Sequence, residues 1–287
     1  MDLRALGGDA PGTAPIAVGA MRLSERGRPP EGEALRVLAA ALDAGANLID
    51  TADTYGLGES DGGHNERLIA RLLKERDRRG RPLVATKGGM VWRDGAWVAN
   101  GRPAYLRAAC EASLRALAVE AIDLYQLHGP DPTVPLGESV GALDELRREG
   151  KIRHLGVCNV SPDQLRRAAA AAPLASVQAR LSPLDLGPLR TGLVELARTL
   201  GLLFFAAAPL GGLAGCAELV QRRALNAVGR GHGVSPCRVA LAWLAQRGPV
   251  VPLPGPTRIR TAVDSVAAAR LVLSLEELRQ LDRAFGG

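Results

Sequence analysis

The chain has 287 residues, 47% of them hydrophobic and 23% charged, which is typical of a globular enzyme with one large or two small domains. The formal net charge is +6, but the Lys and Arg residues are scattered among Asp and Glu, with no aromatic residues gathered beside them. This pattern argues against a nucleic-acid-binding surface and is sufficient to attract an anionic cofactor or substrate.

The cysteines and the apolar runs exclude further classes of protein. Cys110, Cys158, Cys216 and Cys237 are far apart and form no C-x-x-C pair, so we expect free thiols and no metal site. The sequence has neither a signal-type apolar segment nor a run long enough to cross a membrane. We therefore expect a soluble, cytoplasmic protein with no membrane partner, whose oligomeric state is left open.

The first half of the chain alternates strand-like and helix-like segments. Residues 1–15 are rich in Gly and Pro and predict a turn or hairpin, and 16–19 predict a first strand. A helix is predicted over 31–44, because its leucines recur on one face. Three later strand-like runs end in polar residues, namely Asp50, Lys87 and His128. The loop after Asp50 carries Tyr55, and a loop after Lys87 carries Trp92 and Trp97.

In the second half of the chain, strand-like and helix-like segments alternate over shorter distances. Strands are predicted over 153–157, 176–178, 202–206 and 250–253, and helices over 189–200 and 236–244. Ser274 is expected to cap a final helix with apolar residues on one side. About eight strand–helix units follow one another without a linker. This favours an α/β fold with a single (β/α)₈ TIM barrel spanning residues 1–287.

A doubly wound open sheet is the competing fold. It usually carries a G-x-G-x-x-G segment after its first strand, but the Gly-rich stretch 56–61 has Asp61 in place of the third Gly. The barrel is therefore the predicted architecture.

Four polar groups are expected to meet at one rim, because the carboxyl ends of parallel barrel strands lie on the same face. A Tyr55 phenol is a poor acid at neutral pH, but the Lys87 ammonium would lower its pKa, and Asp50 would hold that ammonium charged and fixed. His128 can orient a carbonyl oxygen or assist proton transfer. None of the four is a strong nucleophile, so a cofactor must supply the other reactant, and hydride is the natural candidate.

Five segments resemble motifs of the aldo-keto reductase family, in the expected order: NLIDTADTYG (47–56), ATKGG (85–89), DLYQLHGP (123–130), KIRHLGVCN (151–159) and PLGG (209–212). The resemblance implies a barrel that binds NADP(H) across its C-terminal rim without a Rossmann fold. It also implies reduction of an aldehyde or ketone to an alcohol, with Tyr55 as general acid, Lys87 and Asp50 tuning it, and His128 orienting the carbonyl.

The resemblance to the family is incomplete at the residues expected to contact the nicotinamide ring. Asn159 and Gln178 match residues that hydrogen-bond the carboxamide, but Cys158 stands where the family usually has Ser. Ala207 stands where the family usually stacks an aromatic side chain on the ring, a loss worth roughly 0.5–1.5 kcal/mol. Two neighbours of Gln178 also replace an Asn and a Tyr of close relatives, namely Ala179 and Leu181.

The residues expected to bind the cofactor phosphates match the family more fully. Leu210, Gly211 and Gly212 correspond to the loop approached by the pyrophosphate. Thr257 and Arg258 fall where the family grips the adenosine 2′-phosphate, which favours NADP over NAD.

The altered nicotinamide side leaves more than one function open. The first interpretation is a pocket widened for a bulky carbonyl substrate, with Trp92, Trp97 and Met21 as candidate pocket residues. The alternative is a non-redox dehydratase or isomerase that uses the same acid–base residues. A third is a barrel that holds NADP(H) without turnover.

Overall fold

The computed structural model describes residues 16–76, 81–93 and 95–286. The segment 1–15, for which a turn or hairpin is expected, lies outside the described residues. Within those ranges, eight strands form one parallel sheet: β1 (Val18–Gly19), β2 (Leu48–Asp50), β3 (Leu83–Gly88), β6 (Ile122–Leu127), β7 (Ile152–Cys158), β8 (Leu174–Arg180), β9 (Leu203–Ala207) and β10 (Val250–Leu253).

The sheet closes into a ring. Each of these eight strands pairs with the next one along the chain, from β1 to β10. The first strand also pairs with the last, because Gly19 N donates to Pro254 O at 2.9 Å and Ala17 N donates to Pro252 O at 3.2 Å. The predicted (β/α)₈ barrel is confirmed, and every barrel strand ends at the same mouth.

Helices surround the ring and cover its apolar outer face. In chain order they are α1 (Glu31–Asp43), α2 (His64–Lys74), α3 (Pro103–Leu117), α4 (Leu136–Arg148), α5 (Pro162–Ala171), α6 (Gly187–Arg190), α7 (Leu193–Thr199), α8 (Gly212–Leu219), α9 (Arg223–His232), α10 (Pro236–Ala245), α11 (Ile259–Val266) and α12 (Leu275–Phe285). Ser161 and Ser274 begin α5 and α12 with complete capping boxes. Among the described helices, none is long and apolar enough to cross a membrane.

The structure corrects several element predictions. Trp92 and Trp97 do not lie on a loop but face each other across a two-stranded antiparallel hairpin, β4 (Met90–Arg93) and β5 (Ala96–Ala99). The helix predicted over 189–200 is divided into α6 and α7, because Gly192 adopts a left-handed φ of 76° between them. Strand β8 is longer than predicted, and the chain after Gly212 carries α8, α9 and α11, which were not predicted.

Candidate active site

Alternation along the strands determines which side chains point into the barrel. A small apolar cluster fills its interior, formed by Ala17, Leu48, Ala85, Leu124, Phe205, Val251 and Leu253. Two residues farther along four of these strands, the same inward faces carry Asp50, Lys87, Gln126 and Ala207. Three of these four side chains are polar, so the apolar filling ends in a mostly polar layer at the barrel mouth.

Lys87 is the centre of this layer. The residue is 1% exposed, and its Nζ donates to Asp50 Oδ2 at 2.7 Å, to Thr51 O at 2.7 Å and to Tyr55 Oη at 3.2 Å. Burial alone would lower the pKa of Lys87, but the Asp50 carboxylate and the Tyr55 phenol raise it above its ordinary value. Lys87 therefore stays protonated, with each of its three N–H hydrogens directed at an oxygen.

Tyr55 receives a hydrogen bond from Lys87, so its own hydroxyl hydrogen is free for another acceptor. Burial raises its pKa to about 12, although the Lys87 charge acts in the opposite direction. The expected net lowering of this pKa is wrong, because the desolvation of the phenolate outweighs the neighbouring ammonium. The phenol thus carries its proton throughout the neutral pH range.

His128 follows β6 and faces the Tyr55 ring edge-on, with the ring centroids 6.0 Å apart. Its backbone N donates to Gly88 O at 2.9 Å. Burial, assisted by the Lys87 charge, lowers the pKa of His128 to about 3, so the imidazole is neutral. The enclosed Nδ1 finds no hydrogen-bond partner among the described residues.

Amide side chains form the next part of the mouth. Asn159 has a left-handed φ of 57°, and its Nδ2 donates to His128 O at 2.9 Å. Gln178 Oε1 accepts from Gln126 Nε2 at 2.9 Å and lies 3.7 Å from Cys158 Sγ. Cys158 is 1% exposed and so contacts Gln178 from below the rim. The bonds leave Asn159 Oδ1 as an acceptor and Gln178 Nε2 as a donor.

Sequence reasoning missed Gln126 and Asn65. Gln126 is fully buried, and it is the only amide in β6. It follows the inward-facing Leu124 by two residues, and this spacing was the available signal. Asn65, also fully buried, fixes the loop of Tyr55 by donating its backbone N to Tyr55 O at 3.3 Å and accepting from Thr51 Oγ1 at 2.6 Å. We find no sequence signal for Asn65.

Comparison with known proteins identifies the family. The model of the Aldo/keto reductase family matches residues 15–285. The chain belongs to this family. A protein of Novosphingobium aromaticivorans named 6-dehydroglucose reductase is 37% identical over 286 residues, covering 96% of this chain and 90% of that protein. A Glycine max protein named probable aldo-keto reductase 1 is 33% identical over 282 residues, covering 88% and 80%.

Solved structures agree with this assignment. The crystal structure of an aldo/keto reductase from Klebsiella pneumoniae in complex with NADP and acetate superposes with a TM-score of 0.81 at 27% identity. The match covers 94% of this chain and 90% of that chain.

Two loops at the rim of this aldo/keto reductase follow β9 and β10. Leu210, Gly211 and Gly212 follow β9, and both glycines adopt left-handed φ values, 72° and 75°. Thr257 and Arg258 follow β10, and Arg258 occupies the N-cap position of α11. Its side chain is exposed and forms no ion pair with any residue in the described ranges. The two loops that were predicted to hold the phosphates are therefore both at the barrel mouth.

A cavity of 560 Å³ opens beside the loop that follows Tyr55. Its walls include Trp92 and Trp97, whose rings pack edge-to-face with centroids 4.8 Å apart. The remaining lining residues are Glu25, Arg26, Gly27, Arg28, Gly56, Leu57 and Gly58. Met21, the third predicted pocket residue, is 40% exposed and is not part of this wall. Within the described residues, no group of three His, Cys, Asp or Glu side chains is placed to hold a metal ion.

Proposed function

We propose that this aldo/keto reductase reduces an aldehyde or ketone to an alcohol with NADPH, and that Tyr55 donates the proton to the carbonyl oxygen. One observation carries the proposal: Lys87 donates to Tyr55 Oη and leaves the phenol hydrogen free to be given away. The naming of the Novosphingobium relative as a reductase and the NADP in the Klebsiella structure support it. The relatives give no support to the non-redox alternative.

The amides at the mouth fit the nicotinamide end of the cofactor. A carboxamide carries one acceptor oxygen and one donor NH₂ group, which complement the free donor of Gln178 and the free acceptor of Asn159. When bound, the cofactor supplies a hydride to the carbonyl carbon. Cys158 would act indirectly, by holding the Gln178 amide.

The phosphate end would be held by the rim loops. The loop 210–212 supplies backbone groups that no side chain covers at Gly211 and Gly212, and Gly212 has open space where a Cβ would lie. Thr257 and Arg258 would bind the 2′-phosphate, because an exposed guanidinium recognises that group and NAD lacks it.

The proton step follows from the charges around Tyr55. As the carbonyl oxygen becomes negative, it takes the free Tyr55 hydrogen and leaves a phenolate 3.2 Å from the Lys87 ammonium. Lys87 stabilises that anion, while Asp50 keeps the ammonium in place at 2.7 Å. His128 is neutral, and with Nδ1 enclosed it can offer Nε2 to the same carbonyl oxygen as an orienting hydrogen bond.

The substrate pocket is proposed to be the cavity beside Trp92 and Trp97. Its aromatic wall favours a substrate with an apolar or ring-shaped body rather than a short-chain aldehyde. Ala207, at the end of β9, is not part of the wall of this cavity. We also propose that residues 1–287 form one domain, an interpretation supported by the pairing of β1 with β10.

The direct test follows NADPH absorbance with a panel of aldehydes, ketones and sugars. Tyr55→Phe should lower the reduction rate by about 100-fold or more, since it deletes the general acid. NADPH binding should stay close to that of the unchanged protein, because the phenol is not a proposed cofactor contact.

Tyr105→Phe is the matched control. It also deletes a phenol oxygen, but that hydroxyl donates to Met90 O at 3.0 Å, away from Lys87, and activity should be retained. A Tyr55→Phe enzyme that keeps most of its rate would remove Tyr55 from the acid role.

A further inference from the structure

Two cysteine side chains that the proposed reaction does not use lie side by side. Cys216 is in α8 and Cys237 is in α10, and their Sγ atoms are 3.6 Å apart. Both side chains are partly exposed and both are free thiols. Because the sulfurs of a disulfide are about 2 Å apart, an approach of roughly 1.5 Å would bring these two to bonding distance.

The juxtaposition is a product of the fold, since 21 residues separate the two cysteines along the chain. Helix α8 packs against α10, and Cys237 lies in the first turn of α10, after the N-cap Ser235. Cys110 and Cys158, by contrast, are buried. The pair on α8 and α10 is therefore the natural site for a dithiol reaction among the four cysteines.

We propose that Cys216 and Cys237 form a reversible disulfide when the protein meets hydrogen peroxide. In the first step one sulfur attacks a peroxide oxygen, the O–O bond breaks, and a sulfenic acid and one water form. In the second step the other thiol displaces the sulfenic hydroxyl as a second water, and the S–S bond forms. The two sulfurs are oxidised, the peroxide is reduced, and an external dithiol reverses the reaction by exchange.

The surroundings of Cys237 disfavour its thiolate. Burial raises the pKa of Cys237 to about 12, and the adjacent Cys216 and Asp264 act in the same direction. A thiol that holds its proton reacts slowly with peroxide. The disulfide is expected whichever of the two sulfurs is oxidised first.

A movement of α8 caused by oxidation would be transmitted to the barrel mouth through closely packed backbone. Gly215 precedes Cys216, and a Cβ on Gly215 would lie 2.8 Å from Leu210 O. A Cβ on Gly211 would lie 3.0 Å from the Cα of Gly215. With no side chain between them to absorb movement, a shift of α8 toward α10 also moves the loop 210–212.

The functional consequence rests on the proposed function, in which this loop meets the cofactor pyrophosphate. Disulfide formation should weaken NADPH binding by about tenfold, a coupling of ordinary size between two sites. Reduction with dithiothreitol should restore it.

The experiment treats the full chain with hydrogen peroxide and measures intact mass, cross-linked peptides and the Kd for NADPH. We expect the loss of two hydrogens, one Cys216–Cys237 peptide and weaker NADPH binding. Cys216→Ser and Cys237→Ser should each abolish both the cross-link and the response to peroxide, while Cys110→Ala should keep both.

The outcomes separate the two proposals. Separate sulfinic acids, or no cross-link, would overturn the disulfide. A cross-link with unchanged NADPH affinity would overturn the coupling to the mouth. If the reduced protein does not bind NADPH at all, the proposed function and the coupling both fail, and the mass measurement alone decides the disulfide.

Discussion

Gln126 determines which end of the Gln178 amide faces the barrel mouth. It donates to Gln178 Oε1 at 2.9 Å, and its own oxygen accepts from Ser176 Oγ at 3.3 Å. Gln126 and Ser176 are fully buried in the barrel, where an unpaired amide is costly. Gln126 is thus a positioning residue, because it acts on the proposed cofactor contact without reaching the cofactor.

Gln126→Leu should therefore raise the Kd for NADPH about fivefold, the equivalent of one net hydrogen bond of about 1 kcal/mol. With its main partner gone, the Gln178 amide can rotate and present an oxygen where a donor is needed. A fluorescence titration with NADPH measures the change, and kcat at saturating cofactor should change little.

Gln246→Leu is the matched control for this substitution. Gln246 donates to Leu271 O at 3.0 Å, far along the chain from the mouth residues, so its loss should lower stability and leave the Kd unchanged. Equal NADPH affinity in Gln126→Leu and the unchanged protein would remove Gln126 from the site.

The residue-level prediction was strongest where a group terminates an apolar strand. Asp50 and Lys87 could be placed together from sequence because parallel strands end at one face. The contact of Gln126 with Gln178 could not, because it depends on the three-dimensional pairing of β6, β7 and β8. The direction of the Tyr55 pKa shift also could not be predicted from the sequence, since burial is a property of the folded protein.

At the scale of elements, the end of β9 contains a strained turn. Ala208 has a φ of 48°, a left-handed conformation that costs roughly 1–2 kcal/mol for a residue with a Cβ. The turn persists because Gly211 N donates to Ala208 O at 2.8 Å and anchors the loop that leads into α8.

Ala208→Gly should therefore stabilise the protein by about 0.5–1 kcal/mol, since the relieved strain exceeds the added flexibility of the unfolded chain. Urea unfolding measures the change. Ala112→Gly, at an exposed position inside α3, is the control and should instead destabilise by about 1 kcal/mol. If both variants lose stability alike, Ala208 is not under strain.

Helices and strands were predictable where hydrophobic periodicity was strong. They were not predictable where local turns determine the secondary structure. The hairpin β4–β5 has short strands that are largely exposed, so it lacks a buried face to create a pattern. Its sequence does contain Asp94-Gly95, a dipeptide typical of hairpin turns. Helix α11 was missed although its buried residues Ala262 and Val266 are four residues apart, as on one helix face.

At the scale of the whole molecule, buried ionisable groups make stability depend on pH. The pKa of His128 is lowered to about 3 in the folded protein, against about 6.5 in an unfolded chain. Between these values the unfolded chain binds more protons, so the stabilising contribution is present above pH 6.5 and is lost as the pH falls. Asp50, Asp53 and Glu66 have raised pKa values and act in the opposite direction.

A comparison of the unchanged protein with His128→Asn isolates the histidine, since the carboxyl groups are common to both. Between about pH 7 and about pH 5.5, the unchanged protein should lose about 1 kcal/mol more of its unfolding free energy than the variant. Urea unfolding at the two pH values measures this difference. Parallel losses would show that the folded protein binds the His128 proton as readily as the unfolded chain does.

Ring closure also bears on how the molecule avoids self-association. The eight barrel strands have neighbours on both sides, so they offer no unpaired backbone to which a foreign strand could add. Among the strands that the structure describes, only those of the hairpin β4–β5 have an edge that is not paired with another strand. Should cross-β aggregation begin from the native state, it would begin at this hairpin, the same element that forms the aromatic wall of the substrate cavity.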